Sequence, residues 1–475
     1  MFIKHKFHKN ILRAYDIRGI IGKNLKEEDA FMLGYFFGLF LKNKIGDNTL
    51  PEVLVSRDGR VSSPSLEKNL INGLLKAGTN VSSIGMNPTP ALYFSNQYYR
   101  SEGAIQITGS HNPKSYNGFK MIMLNKSFFG EDIIELAKFA EKGSKRSLSG
   151  SFKFLNVENQ YIKEVLKPLT KYHNSKKLIG KKIIWDCGNG ATGNIIKKLT
   201  KELPGQHKIL FSKIDGTFPN HHPDPTQEEN LLELKNQVKS NNASLGIAFD
   251  GDGDRIGVID KNGNLIPGDL LTAFLCQSIV QKNQKIILDV KSSLIAINFI
   301  KKLGFDVEIW KTGHSHIKSR LNEINAPLAG EMSGHIFFKD KYYGYDDAIY
   351  ASIRVLELLC LGFDITTFYK NLKLSFTTPE LKVKCSDDKK FVVINNIIKK
   401  LKIRYKKENI LLIDGVRINN LLGWYLIRAS NTEDAIIIRV EAHSKRDKIS
   451  LLNEVIALLK KEGLNLDVNK NNKLN

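Results

Sequence analysis

The segment DGDGDR, Asp250 to Arg255, directly follows LGIAFD, an apolar run that reads as a buried strand. It sets carboxylates at alternate positions, and Gly251 and Gly253 free the backbone to curl until Asp250, Asp252 and Asp254 converge on one point. Two carboxylates about 4 Å apart repel by about 4 kcal/mol at an effective dielectric of about 20. Three such pairs demand a cation, and hard oxygen ligands select Mg²⁺ or Ca²⁺. A calcium EF-hand loop beginning at Asp250 would need Gly at its sixth position and Glu at its twelfth, where this chain has Arg255 and Lys261. That excludes the EF-hand and leaves a solvated acidic loop as the plain alternative.

TGSHNP, Thr108 to Pro113, follows a second apolar strand, GAIQIT, and sets Ser110 behind Gly109 at a strand end, where α/β sheets place their sites. A nucleophilic Ser needs a neighbouring base, and His111 is adjacent in sequence, but adjacent residues often point apart. The motif does not specify a Ser hydrolase, and a serine in an ordinary turn is the competing reading. GEMSGH, Gly330 to His335, gathers Glu331, Ser333 and His335 in one short loop suited to sugar hydroxyls, against a helix cap with a surface His. RASNTED, Arg428 to Asp434, offers a guanidinium beside Ser430, Asn431 and Thr432, a match to a phosphate dianion, against a polar hairpin turn. GNGATG, Gly188 to Gly193, meets the Gly-x-Gly-x-x-Gly rule after the strand KKIIWD, with Asp215 downstream, as an NAD(P)-dependent oxidoreductase would want. It would leave the other four motifs unexplained, so tight strand-to-helix packing is the better use of these glycines.

Such loops need a scaffold. Strand and helix patterns alternate through the first third: EVLVSRD, an amphipathic stretch from Ser65 to Ala77, then GAIQIT. A second unit runs from KKIIWD through a helix near Asn194 to Glu202 into LGIAFD. A third has a helix over Asp269 to Gln281 and strands at Lys285 to Val290 and Phe305 to Trp310. From Thr377 the pattern changes to strands LKVKC, ILLIDGVRI, WYLIRAS and AIIIRVEAH around helices Lys389 to Lys402 and Ser444 to Lys461, a smaller α+β unit. The fold class is therefore α/β, with three similar units and a C-terminal α+β domain. The expected boundaries are 1–155, 156–259, 260–373 and 374–475.

The 475 residues, 42% hydrophobic and 25% charged, are ample for several cores. The apolar run Phe31 to Leu41 is shorter than the ~20 residues of a membrane span and reads as a buried helix. Met1 to Ile20 is polar and basic without an apolar h-region, so no secretory signal is expected and the cytoplasm is the expected compartment. Cys187, Cys276, Cys360 and Cys385 are scattered without a CxxC and read as buried thiols. A net charge of +22 raises a polyanion binder as a further class. The excess is mostly paired lysines without interleaved aromatics, so no nucleic-acid partner is expected and the charge steers anionic substrates.

RAYDIRG (Arg13 to Gly19), TGSHNP, NGFK (Asn117 to Lys120), DGDGDR, DVK (Asp289 to Lys291), KTGH (Lys311 to His314), GEMSGH and RASNT stand in this order over essentially the whole chain. In that order they resemble the α-D-phosphohexomutase superfamily, and within it the bacterial phosphomannomutase/phosphoglucomutase branch. The resemblance implies four domains around a central cleft, three mixed-sheet α/β domains and a TATA-binding-protein-like α+β domain. It implies that Ser110 carries a phosphoryl group and that Asp250, Asp252 and Asp254 hold Mg²⁺ with it. Arg18, Lys120, Arg255 and Lys291 would stabilise charge or position groups, with His111 beside the serine. Tyr15, His314, Glu331 and Ser333 would bind sugar, His335 would be an acid/base, and Arg428, Ser430, Asn431 and Thr432 would hold the non-reacting phosphate. The implied partners are hexose phosphates, with glucose 1,6-bisphosphate as activator and intermediate, no membrane, and a monomer or weak homo-oligomer. The glucosamine branch usually has SASHNP and a Gln in the sugar loop. TGSHNP and Met332 depart from that and favour glucose and mannose phosphates over phosphoglucosamine.

Overall fold

The computed structural model describes residues 2–466 except 47–48, 147, 173–177, 179, 374 and 431–433. Short apolar runs become the strands of four sheets. In the first the order is Ile17–Ile20, Tyr116–Met123, Gly103–Ile107, Glu52–Arg57, Asn80–Met86 and Phe152–Phe154, with Lys126–Phe128 beside Tyr116–Met123. The second runs Leu265–Ile266, Ile256–Asp260, Leu245–Phe249, Lys182–Asp186, Gln206–Leu210. The third runs Asp306–Trp310, Lys285–Asp289, Leu328–Gly330, Ile336–Phe338. All three are mixed, as expected.

Each parallel core ends in a buried strand that turns straight back as an antiparallel neighbour. The pairs are Gly103–Ile107 with Tyr116–Met123, Leu245–Phe249 with Ile256–Asp260, and Leu328–Gly330 with Ile336–Phe338. TGSHNP, DGDGDR and GEMSGH are the connections between them, so three domains present their polar loops from equivalent places. The fourth sheet is wholly antiparallel, in the order Phe376–Thr377, Ala435–Ala442, Gly423–Ala429, Val416–Asn420, Ile410–Leu411, and carries helices Asp387–Arg404 and Lys445–Lys460.

The run Phe31 to Leu41 lies inside the helix Glu27–Ile45, where Tyr35, Phe36 and Phe37 are fully buried. At about 1.5–3 kcal/mol per buried large apolar side chain, such residues dominate the first domain's core. No described helix is long and apolar enough to cross a membrane. The four cysteines are free and buried.

Two elements differ from expectation. The helix expected over Asp269 to Gln281 spans Gly268–Leu275 and ends in a 3-10 turn, Cys276–Ser278. Ser278 Oγ donates back to Leu275 O at 2.8 Å and accepts from Arg354 Nη2 at 2.6 Å, so a distant arginine captures the helix end. ILLIDGVRI is two strands rather than one, Ile410–Leu411 and Val416–Asn420, because Asp414-Gly415 makes the turn, with Gly415 at φ +76°.

The domains are locked together by polar as well as apolar contacts. One core cluster runs continuously from Tyr93 and Phe94 through Trp185 and Phe249 to Phe338 and Tyr350. Inside it the buried Asp347 accepts from Tyr161 OH at 2.9 Å, Tyr342 OH at 2.8 Å and Tyr350 N at 2.8 Å, tying the second unit to the third. The fourth domain docks through Arg417, whose Nη1 donates to Val290 O and Ser292 O, each at 2.8 Å, with its guanidinium 3.8 Å from the Trp424 ring centre.

Burial pushes the Asp347 carboxyl up to about 6. Its folded value then stands above an unfolded value of about 3.9, so the stabilisation it confers is complete below about pH 3.9 and lost as pH rises through about 6. Between about pH 5 and about pH 7 that loss is about 1 kcal/mol. Asp347→Asn cannot ionise, and its melting temperature is expected to fall less over this range than that of the parent protein. A difference between the two that does not change with pH would show that Asp347 does not titrate there.

Candidate active site

Ser110 is 2% exposed, and its Oγ donates to Asp250 Oδ2 at 2.8 Å across the boundary between the first two units. The hydroxyl and the carboxylate trio thus meet. Ser110 lies in the left-handed region at φ +49°, a conformation that costs on the order of 1–3 kcal/mol for a residue other than glycine. Its Oγ also stands 3.2 Å from His111 Nδ1, so the adjacent ring does turn back toward it. A Cβ on Gly251 would lie 2.5 Å from the Ser110 carbonyl, and one on Gly190 would lie 2.8 Å from the Gly251 carbonyl. GNGATG therefore packs against the DGDGDR loop, and Ala191 N donates to Gly251 O at 2.9 Å. The glycine-rich turn buttresses the acidic loop.

The acidic loop curls as its glycines allow. Asp250 Oδ1 accepts from the backbone N–H groups of Gly253, Asp254 and Arg255 at 2.9, 3.1 and 3.1 Å, leaving Oδ2 for Ser110. Asp250, Asp252 and Asp254 are fully buried, and they offer oxygens within 4.8 Å of one another. Asp250's carboxyl is pushed well above the usual carboxylate range, first by burial and then by the charges of Asp252 and Asp254. Asp252 Oδ1 is buried without a hydrogen-bond partner among the described residues. Crowded hard oxygens, mutual repulsion and an orphaned lone pair together fit a divalent cation.

Lys120 supplies the nearest positive charge. Its ammonium donates to Asp252 Oδ2 at 2.7 Å and to Asp254 Oδ2. Burial opposes that charge, but Asp252 and Asp254 outweigh it and raise the lysine above its ordinary value. Arg18 lies on the other side of the serine loop, with Nη1 donating to Gly109 O at 3.2 Å and to Asn112 Oδ1, and Nη2 to Asp16. Burial, then Arg255 and Arg18, push His111 well below its ordinary value, so it is a neutral ring at neutral pH.

His335 reaches the trio from the third domain. Its Nε2 stands 3.3 Å from Asp254 Oδ1 and its Nδ1 3.0 Å from both Glu331 Oε2 and Ser333 Oγ. Burial would lower this imidazole, but Asp254 outweighs it with help from Glu331, and the value rises to about 9. As an imidazolium it donates from both nitrogens. The approach of Arg255 Nε to His335 Nε2, 3.4 Å, is a hydrogen bond only when the ring is neutral. Ile256 N donates to Gly334 O at 3.0 Å, fastening the two loops. Glu331 Oε1 accepts from Gly313 N at 2.7 Å, and His314 stacks on His335 with ring centres 5.5 Å apart. Behind both rings is Asp346, 3.5 Å from His314 Nδ1 and 2.9 Å from Lys318 Nζ.

The remaining sequence-derived residues line a second cationic region. Lys291 Nζ lies 2.9 Å from Glu380, a carboxylate that Lys291 holds down at about 2. Arg428 is buried, with Nε 3.0 Å from Asp414 Oδ2 and Nη2 without a hydrogen-bond partner among the described residues. Asp414 also accepts from Thr312 N at 3.3 Å, and Tyr15 OH donates to Thr312 O at 2.9 Å. Ser430 follows Arg428 at the strand end, its carbonyl accepting from Lys390 Nζ at 2.6 Å. Asn431 and Thr432 lie outside the described residues.

Sequence reasoning passed over Asp58, Arg60, Thr89, Asp346, Glu380 and Asp414. Thr89 donates its hydroxyl to Asp252 and its N–H to Asp252 O at 2.8 Å, a pairing only the fold creates. RDGR, Arg57 to Arg60, did carry a signal, since a carboxylate and a guanidinium flank a glycine at a strand end. A cavity of about 810 Å³ lined by Phe274, Phe299, Phe363 and Phe368 touches none of these groups, so charge and not volume locates the site.

Family models described as phosphoglucomutase/phosphomannomutase alpha/beta/alpha domains I, II and III match residues 9–146, 159–263 and 267–373. The C-terminal domain of the same family matches 380–458. A phosphomannomutase/phosphoglucomutase of Pseudomonas aeruginosa is 39% identical over 445 residues, 92% of this chain and 93% of that one. A phosphoglucomutase of Neisseria gonorrhoeae is 38% identical, covering 92% of this chain and 94% of that one. The crystal structure of a phosphoglucomutase/phosphomannomutase family protein from Burkholderia thailandensis superposes with a TM-score of 0.87 at 36% identity, over 97% of this chain and 99% of that one.

Calorimetric titration with Mg²⁺ tests the trio directly. Asp252→Asn removes one full charge from the cluster and is expected to weaken binding by at least about tenfold. Unchanged affinity would remove Asp252 from any metal site.

Proposed function

We propose, from the premise that this chain belongs to the phosphoglucomutase/phosphomannomutase family and is a phosphohexose mutase, that it moves a phosphoryl group between the 1 and 6 positions of glucose and mannose phosphates through a phosphorylated Ser110. The observation that carries this reading is the 2.8 Å contact between Ser110 Oγ and Asp250 Oδ2. Asp250, Asp252, Asp254 and the Ser110 oxygen would hold Mg²⁺, which would supply positive charge against the charge building on the transferring group.

Phosphoryl transfer is chiefly positioning and charge stabilisation, and the groups around Ser110 are arranged for both. Phosphoserine 110 donates to the free hydroxyl of a hexose monophosphate, giving glucose 1,6-bisphosphate or its mannose counterpart. The bisphosphate turns over in the cleft, and its other phosphate returns to Ser110. A phosphoserine adds about −1.5 to −2 charge, which Lys120, Arg18 and Arg255 would offset. His335, protonated near neutral pH, is suited to give a proton to a sugar oxygen that loses its phosphoryl group, and its conjugate base to take one back. Neutral His111 is suited to take the Ser110 proton when the serine is rephosphorylated. Glu331 and Ser333, with Tyr15 and His314, would hold sugar hydroxyls. Lys291 and Arg428 with Ser430, Asn431 and Thr432 would grip whichever phosphate is not reacting, a role supported by Arg428 Nη2, which has no hydrogen-bond partner among the described residues.

Glucose and mannose differ only at carbon 2, so a loop that reads neighbouring hydroxyls accepts both. The similarity to a phosphomannomutase/phosphoglucomutase supports this reading. We place the activity in the cytoplasm, in a monomer or weak homo-oligomer, within the expected boundaries 1–155, 156–259, 260–373 and 374–475.

A coupled assay is expected to show comparable turnover of glucose 1-phosphate and mannose 1-phosphate, and turnover of glucosamine phosphate alone would reject the assignment. Ser110→Ala is expected to abolish turnover, and normal turnover would refute the phosphoserine. Arg428→Ala is expected to raise KM by at least about tenfold, the scale of one lost charge-assisted hydrogen bond. An unchanged KM would remove Arg428 from the phosphate site.

A further inference from the structure

We propose that Asp58 and Arg60 are positioning residues that hold Ser110 in its left-handed conformation, so that its Oγ faces the carboxylate trio. The inference rests on the reading that Ser110 carries the phosphoryl group and adds what keeps it aimed.

Arg60 is 1% exposed, and its guanidinium is spent almost entirely on one loop. Nη2 donates to Ser110 O at 2.7 Å and Asn112 O at 2.5 Å, and Nη1 to Pro113 O at 2.7 Å and Tyr116 O at 3.0 Å. Nε completes the fork on Asp58 Oδ2 at 3.2 Å. The same carboxylate oxygen accepts from Thr108 Oγ1 at 2.9 Å and Gly109 N at 3.1 Å, while Thr108 Oγ1 accepts from Ser110 N at 2.8 Å. Both peptide groups flanking the Ser110 α-carbon are therefore anchored, the N–H through Thr108 to Asp58 and the carbonyl directly to Arg60. That is the geometry needed to hold a residue at φ +49° against its own preference.

The clamp grips the loop by its backbone and leaves Ser110 Oγ to reach Asp250. A Cβ on Gly109 would stand 2.4 Å from Arg60 Cζ, so the guanidinium packs flat against the loop backbone. Phe218 of the second domain closes the far side, its ring centre 5.2 Å from Arg60 Cζ. A lysine could not replace this fork, because one ammonium cannot reach four carbonyls splayed in a plane. The functional consequence follows from the reaction: a displacement of about 1 Å at the reacting atom costs about 100-fold in rate. A serine that gains and loses a dianionic group each turnover needs its backbone held from a side that the substrate never touches.

The test is steady-state kinetics with glucose 1-phosphate on Arg60→Ala, Arg60→Lys and Thr108→Val. Arg60→Ala is expected to lower kcat about 100-fold with KM within about threefold of the parent value, because other residues hold the sugar phosphate. Millimolar guanidinium should restore part of that loss in Arg60→Ala and none in Arg60→Lys. Thr108→Val, isosteric but without the oxygen that holds Ser110 N, should lower kcat at unchanged KM, and Thr108→Ser should retain the rate. A kcat within about threefold of the parent in a folded Arg60→Ala protein, or a loss confined to KM, would overturn the proposal. If Arg60→Ala does not fold, a full-rate Thr108→Val protein overturns it instead. Turnover by Ser110→Ala would sink the phosphoserine reading itself, whereas an inactive Ser110→Ala beside full-rate Arg60→Ala and Thr108→Val proteins would sink only the clamp.

Discussion

Three fully buried carboxylates at Asp250, Asp252 and Asp254 cannot share one point without positive charge around them, and the assembly of the domains answers that demand. The first domain sends Lys120 and Arg18 toward the trio, and the third sends His335. Lys120 and His335 are themselves buried, and without the acids burial would drive both toward their neutral forms. The attraction is therefore mutual: the acids keep Lys120 and His335 charged, and the cations keep Asp252 and Asp254 ionised. Ser110 enters this field as a neutral hydroxyl that donates to Asp250.

The repeated architecture explains how three domains reach one place. In each of the first three sheets a buried strand ends, forms a polar loop and returns antiparallel. Helix N-termini meet the acidic loop, with Thr89 N donating to Asp252 O at 2.8 Å and Ala348 N to Gly253 O at 3.3 Å. Packing three sheets around continuous apolar contacts, from Tyr93 to Tyr350, brings the hairpin ends together without a long connection having to cross the cleft. GNGATG shows how tightly that packing is set, since Gly190 touches the backbone of Gly251.

The fourth domain follows a different logic. It has its own core and meets the third mainly through Arg417, Trp424 and the Lys291–Glu380 pair. Acids sit beside cations here, the fourth domain's Glu380 with Lys291 of the third and Asp414 with Arg428. Those carboxylates give two buried positive charges a partner of opposite sign.

What the amino-acid sequence determined by itself was local. The DGDGDR loop closes on itself through bonds from Asp250 Oδ1 to backbone groups three to five residues on, so its convergence was readable from spacing alone. Strands such as Leu245–Phe249 were equally legible, because a short apolar run bounded by turn residues has few other ways to bury itself. The early end of the helix Gly268–Leu275, captured by Arg354, and the Asp414-Gly415 turn that puts a carboxylate beside Arg428 were not. Nor were Lys120 among acids 132 and 134 residues away, or Arg60 beneath a serine 50 residues on. Spacing reports which groups can meet within one turn of backbone. Which distant charge neutralises a buried one is decided only when packing excludes water and leaves that charge no other partner.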